Sequence, residues 1–312
     1  MAAIGCRNHA AKVISLVESG EGAEVTCLYH PQGKIDDPRG TSDLSAILAS
    51  DAVFILSPNA THFPYLHYLR EQGYSGYIFC EKPPVTTASD LAHLRRFPSE
   101  RLFFNFNLRF GALASAILEA LKSGELGKLV HLSAVVTHGL AYRESFSGSW
   151  RALRESHPKS VFESVSIHFI DLFQWVAGPL LSLENEFSIV AQRGTAWDTC
   201  KTDMVHESGA SACIVSSYAA PYLLHVLVIG TNGVIELRDG ELTVSSPRDT
   251  FDETGLFMSP PAQRRMVLEP RDLFAESLPH AVRFFLNHCA ALIPIPPLFF
   301  ERSLASTDWL LR

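Results

Sequence analysis

The run Ala52-Val53-Phe54-Ile55-Leu56-Ser57-Pro58-Asn59-Ala60-Thr61-His62 carries the reading of the fold. Its first five residues are apolar without a break, the length of one strand, and nothing polar alternates with them. Such a strand is covered on both faces, the condition of a parallel sheet flanked by helices. A helix is expected next, over Thr61 to Gln72, and the same rhythm extends both ways. Upstream, Ala2 to Gly5 reads as a strand and Glu24 to Tyr29 as another. Between them, His9 to Glu18 is helical through Ala10, Val13, Ile14 and Val17. Ser42 to Ala49 is a short helix, with Thr41 or Ser42 as its cap. Downstream, Gly76 to Cys80 is a strand, Ser89 to Phe97 a helix and Leu102 to Asn105 a strand. Strands alternating with helices build βαβ units. The first half is expected to be a Rossmann-type, doubly wound α/β sheet.

From about Phe106 the rhythm changes. Gly111 to Ser123 and Val161 to Val176 read as helices, and Leu129 to Val136 as a strand. Strands then follow at short intervals: Ser188 to Arg193, Met204 to Glu207, Ala212 to Tyr218, Leu223 to Ile229 and Val234 to Arg238. With no helices between them, they predict an antiparallel sheet. Helices return over Leu278 to Leu292 and Ser303 to Leu311. The expected organisation is a dinucleotide-binding domain over 1–105 and an α+β domain over 106–312 with a large, mostly antiparallel open sheet. The C-terminal helix is a candidate to pack back on the first domain. Leu223 to Ile229 is too apolar for a solvated face, which points to a second copy of the chain.

Composition narrows the function. Lys and Arg number 26 against 33 Asp and Glu, a net charge of −7 without basic clusters, so nucleic acid and anionic membranes are poor partners. No apolar stretch is long enough to span a bilayer, and Met1 to Gly5 is too short for a signal core. The six cysteines form no CxxC pair, which suits reduced thiols in the cytoplasm and argues against a zinc site or another metal centre.

In an open parallel sheet the first βα turn is the usual pyrophosphate cradle. Here it is Gly5-Cys6-Arg7-Asn8-His9-Ala10. The first glycine and the final small residue fit GxGxxG/A, but Arg7 replaces the middle glycine, so an ordinary tight turn is an equal reading. The second strand ends in Tyr29-His30 and leads to Gln32-Gly33-Lys34, with no Asp or Glu to bind an adenosine ribose. Lys34, Arg7 and Arg39 would favour NADP(H) over NAD(H), which stays open as a cofactor; a solvated turn carrying Lys34 is the alternative.

Three further segments resemble the glucose–fructose oxidoreductase/inositol dehydrogenase (Gfo/Idh/MocA) family. Ser57-Pro58-Asn59-Ala60-Thr61-His62 is similar to its third-strand motif, and Glu81-Lys82-Pro83 to its EKP motif. Ser149-Trp150-Arg151 followed by His168-Phe169-Ile170-Asp171 resembles its WR segment and HxxD helix. Asn107-Leu108-Arg109-Phe110 through Gly124-Glu125-Leu126-Gly127-Lys128 looks like its domain junction. The resemblance implies cofactor contacts from Gly5, Arg7, Asn8, His9, His30, Lys34, Ser57, Pro58, Asn59, His62, Glu81 and Lys82. It implies Lys82, His168 and Asp171 as catalytic, and Arg109, Tyr142, Trp150, Arg151 and Ser164 on the substrate side. It also implies a homodimer or homotetramer. Two departures stand out: Lys159-Ser160 where the family has a glycine pair, and Ser164 where it has an Asp.

These residue types suit hydride chemistry. A secondary alcohol must lose its hydroxyl proton as hydride leaves for nicotinamide; His168 can take that proton, and Lys82 can stabilise the developing alkoxide. Asp171 can orient the imidazole or bind a substrate hydroxyl. The leading expectation is an NAD(P)-dependent dehydrogenase or reductase acting on a CH–OH group of a sugar, polyol or nucleotide-sugar-like compound. The alternative is an inactive member serving as a ligand-binding or regulatory subunit.

Overall fold

Ala2–Ile4 (β1), wholly apolar and buried, is a central strand of the first sheet in the computed structural model, which describes residues 1–20, 22–33, 35–155, 157 and 159–312. It leads into α1 (His9–Glu18), β2 (Cys27–Tyr29), β3 (Gly40–Thr41) and β4 (Ala52–Ile55). Next come α2 (His62–Glu71), β5 (Tyr77–Cys80), α3 (Ala88–Leu94) and β6 (Leu102–Phe104). The six strands pair in parallel in the order β3-β2-β1-β4-β5-β6. The order reverses between β1 and β4, so the crevice at their carboxyl ends is where such a sheet takes a ligand. The short helix before β4 is a 3-10 helix over Leu44–Ala49, capped by the Asp43 side chain on the Ser45 N–H rather than by Thr41 or Ser42.

The second sheet follows α4 (Ala112–Ser123). It holds β7 (Leu129–Thr137) and, after α5 (Ile167–Ala177), β8 (Leu180–Ser188), β9 (Thr199–His206), β10 (Ser211–Ser217) and β11 (Leu223–Gly230). It closes with β12 (Val234–Arg238), β13 (Glu241–Ser245) and β14 (Ala262–Val267), in the order β14-β13-β12-β11-β7-β10-β9-β8. All neighbours are antiparallel except β10 with β7. The strand expected over Ser188–Arg193 is instead β8, which ends at Ser188. As an edge strand it exposes Glu184 and Glu186 and lacks the apolar signal. The N–H groups of Val190 and Ala191 beyond it bind the Asp198 carboxylate at 2.9 and 2.8 Å, fixing a turn. A π-helical turn, Phe162–Ser166, precedes α5.

Two helices finish the chain, α6 (Leu273–Ala291) and α7 (Pro297–Leu311). Both start earlier than expected. The Asp272 carboxylate accepts from the Ala275 N–H at the start of α6, which runs on through Pro279. The chain divides into two compact units, Met1–Phe106 with Pro279–Arg312, and Asn107–Leu278. In the first, Phe54, Phe79 and Phe103 from three adjacent strands gather on Phe285 of α6, with centroids 5.2, 5.4 and 6.0 Å from it. Each fully buried phenyl contributes roughly 1.5–3 kcal/mol.

Candidate active site

The turn after β1 needs its glycine. Gly5 has φ +95°, and a Cβ there would meet the Leu56 carbonyl oxygen at 2.9 Å. The backbone of this turn therefore lies against the end of β4, and α1 starts four residues later. Arg7, Asn8 and His9 are exposed on the turn, and Asn8 is itself left-handed at φ 51°. The first N–H groups of α1 lack intrahelical partners, as at any helix start, which suits an anion.

Behind this turn sits a buried carboxylate. Glu81, at the end of β5, has its Oε1 2.9 Å from His9 Nε2 and accepts from Asn105 Nδ2 at 2.8 Å. Burial pushes the Glu81 carboxyl up, but the His9 imidazole, the Asn105 amide and the neighbouring Lys82 outweigh it and hold the carboxyl below its usual value. The Glu81 hydrogen bond in turn raises His9 above its usual value, against burial and the charges of Lys82 and Lys12. Lys82, half-buried, follows directly.

His62 is fully buried, its Nδ1 2.8 Å from the Pro83 carbonyl and its Nε2 2.8 Å from the Ser57 carbonyl. It ties the turn after β4 to the turn after β5. Burial pushes its pKa down, against the two carbonyl hydrogen bonds. Ser57 Oγ accepts from Thr61 at 2.7 Å; Pro58 is exposed and Asn59 half-buried.

The strand end next door carries no carboxylate. His30 Nδ1 accepts from the Gln32 N–H at 3.2 Å. Arg39, expected among the cations facing a 2′-phosphate, is instead consumed: it bonds Asp37 at 2.9 and 2.8 Å, the Val25 carbonyl at 2.9 Å, and Glu18. Lys34 lies outside the described residues.

In the second unit, Arg109 and Asp171 form a buried bidentate pair, with Nε to Oδ2 at 2.7 Å and Nη2 to Oδ1. The guanidinium also lies 5.1 Å from the Trp175 ring. Both carboxylate oxygens of Asp171 are thus engaged by a cation from the 3-10 turn Asn107–Phe110. His168, one turn earlier on α5 and 8% exposed, meets Phe274 edge-on at 5.0 Å. Tyr142 and Trp150 are exposed; Arg151 stacks on Trp150 at 4.3 Å. Ser164 lies on the π-helical turn, 3.0 Å from His157 Nε2. His157 and Tyr218 escape the sequence reading, because neither stands at a recognisable spacing from its partners.

The structure therefore gathers Gly5, His9, Ser57, His62, Glu81 and Lys82 at the carboxyl ends of β1, β4 and β5 in the first unit. Arg109, Ser164, His168 and Asp171 belong to the second.

The model of the family described as "Oxidoreductase family, NAD-binding Rossmann fold" matches residues 1–100, and that of "GFO/IDH/MocA C-terminal domain" matches 115–236. No curated protein sequence matches the chain. Among solved structures, an oxidoreductase from Agrobacterium radiobacter, in complex with NAD+, L-tartaric acid and magnesium, is similar at TM-score 0.78 and 18% identity, covering 98% of this chain and 92% of that one. Apo levoglucosan dehydrogenase gives 0.80 and 16%, covering 99% and 94%. An inositol dehydrogenase homolog from Azotobacter vinelandii, complexed with NAD+, gives 0.78 and 16%, covering 99% and 92%. At these identities the likeness is one of fold.

Proposed function

The chain belongs to the Gfo/Idh/MocA oxidoreductase family, and from that premise we propose that it transfers hydride between a nicotinamide dinucleotide and a secondary alcohol or ketone of a sugar, polyol or sugar derivative. The observation that carries the reading is the carboxyl end of the first sheet, after β1, β4 and β5. There a glycine turn pressed against β4 and the Glu81–His9 network lie beside Lys82. The residues fit the cofactor that the family implies. Gly5 lets the turn fold tightly against β4, Arg7 and the start of α1 supply charge, and Ser57 to Asn59 offer polar groups to the ribose and amide.

The bound nicotinamide supplies the hydride acceptor or donor. The Lys82 ammonium stabilises the alkoxide as it forms, and His168 takes or returns the hydroxyl proton. Asp171 acts through Arg109, as a positioning residue that fixes the helix carrying His168. Trp150 and Arg151 are the proposed substrate contacts.

The strand end at His30 lacks the carboxylate that would repel a 2′-phosphate, which supports tighter binding of NADPH than NADH. Fluorescence titration of both cofactors, followed by a screen of sugars and polyols for NAD(P)+ reduction, tests the reading. Turnover with at least one polyol is expected; binding of neither cofactor would favour the ligand-binding alternative.

The half-exposed face of the second sheet presents Val135, Val215, Leu227 and Ile229 together, which supports a homodimer or homotetramer. Sedimentation analysis checks it.

A further inference from the structure

Two consecutive residues of the π-helical turn bracket one buried imidazole. Glu163 Oε2 lies 2.6 Å from His157 Nδ1, and Ser164 Oγ lies 3.0 Å from His157 Nε2. A carboxylate can only accept, so Nδ1 carries the proton and Nε2 is left to accept from the Ser164 hydroxyl. The buried Tyr218 phenol is also beside Ser164, with Ser160 and Arg151 as its other neighbours. The Ser160 hydroxyl donates to the Arg151 carbonyl at 2.7 Å.

Ser164, His157 and Glu163 thus form one chain of hydrogen bonds that ends on a carboxylate. Its outer end is the accessible one: His157 is 3% exposed, whereas Ser164 is only half-buried. Trp150 closes edge-on over the imidazole at 4.6 Å and keeps water from it. A hydroxyl within reach of an imidazole that a carboxylate orients is the arrangement that makes a nucleophile. π-turns of this kind often mark functional positions.

We propose that Ser164 is an activated nucleophile, with His157 as its base and Glu163 as the orienting carboxylate. The second unit thereby carries an acyl-transfer activity toward small carboxylic esters, in addition to its proposed part in hydride transfer. Ser164 Oγ bonds the ester carbonyl carbon as its proton moves to His157 Nε2. The ester C–O bond then breaks, and His157 returns that proton to the departing alkoxide. Water attacks the acyl-serine next, giving its proton to Nε2. The acid leaves as Ser164 takes the proton back.

The test treats the full chain with a fluorophosphonate and, separately, with p-nitrophenyl acetate, reading the adduct by intact mass and peptide mapping. One adduct per chain on Ser164 is expected, lost in Ser164→Ala and formed about 10²-fold more slowly in His157→Gln. Glu163→Gln, nearly isosteric, should slow it by about tenfold or more and decides the matter if His157→Gln does not fold. No adduct above that of the denatured chain, labelling elsewhere, or a rate unchanged in both variants overturns the proposal.

Discussion

The Asp171 carboxylate sits one helical turn beyond His168, and both of its oxygens bond Arg109 in a nearly water-free site. Removing one member of such a pair leaves an uncompensated buried charge. Asp171→Ala should therefore cost about 3–5 kcal/mol, read by urea unfolding. Arg109→Met with Asp171→Leu should recover much of that loss, since no charge is then stranded. Lys82→Ala and His168→Ala should behave oppositely. Each should lower turnover by about 10²- to 10⁴-fold with little change in urea midpoint, because their work is done in the transition state. Near-normal turnover of His168→Ala on the true substrate would reduce that histidine to a packing role. At this scale the sequence is legible where one residue answers to its own backbone, as Gly5 does. It is silent on partners far apart in the chain: nothing between them announces that Arg109 answers Asp171, or that Asn105 and His9 share Glu81.

Between elements, the start of α1 is joined to the end of β5 by His9 and Glu81. The two shifts define a pH window. His9 is raised above 6.5, so its stabilising share is complete below that value and is lost as pH rises through the raised pKa. Glu81 is lowered from 4.5, so its share is present above that value and is lost as pH falls through the lowered one. The pair therefore supports the fold best between 4.5 and 6.5. The melting difference between wild type and His9→Gln should be largest near about pH 5.5 and shrink by about pH 9. A difference that grows on the alkaline side contradicts the link. Elements are legible where burial imposes a pattern: α1 keeps the bounds that its apolar spacing predicts. β14, exposed along its whole length and carrying Arg264 and Arg265, has no pattern to read, and β8 gains its strand conformation only by pairing with β9.

For the whole molecule, the division into units is not a division of the chain. Residues 279–312 belong with 1–106, and Phe285 completes the aromatic cluster on β4, β5 and β6. A fragment of residues 1–106 should lack a cooperative thermal transition by circular dichroism. The same fragment joined to 279–312 by a short Gly/Ser linker should regain one, and with it nucleotide binding. A cooperative melt of 1–106 alone would refute this. The consequence reaches back to the ribosome. The first strands emerge early, yet Phe54, Phe79 and Phe103 must wait for the last helices, with the whole second unit translated in between. During that interval an apolar sheet face has no cover, the circumstance in which nascent chains aggregate or call on chaperones. A premature stop codon near the end would therefore disable the nucleotide-binding half, although the lesion lies at the opposite end of the message.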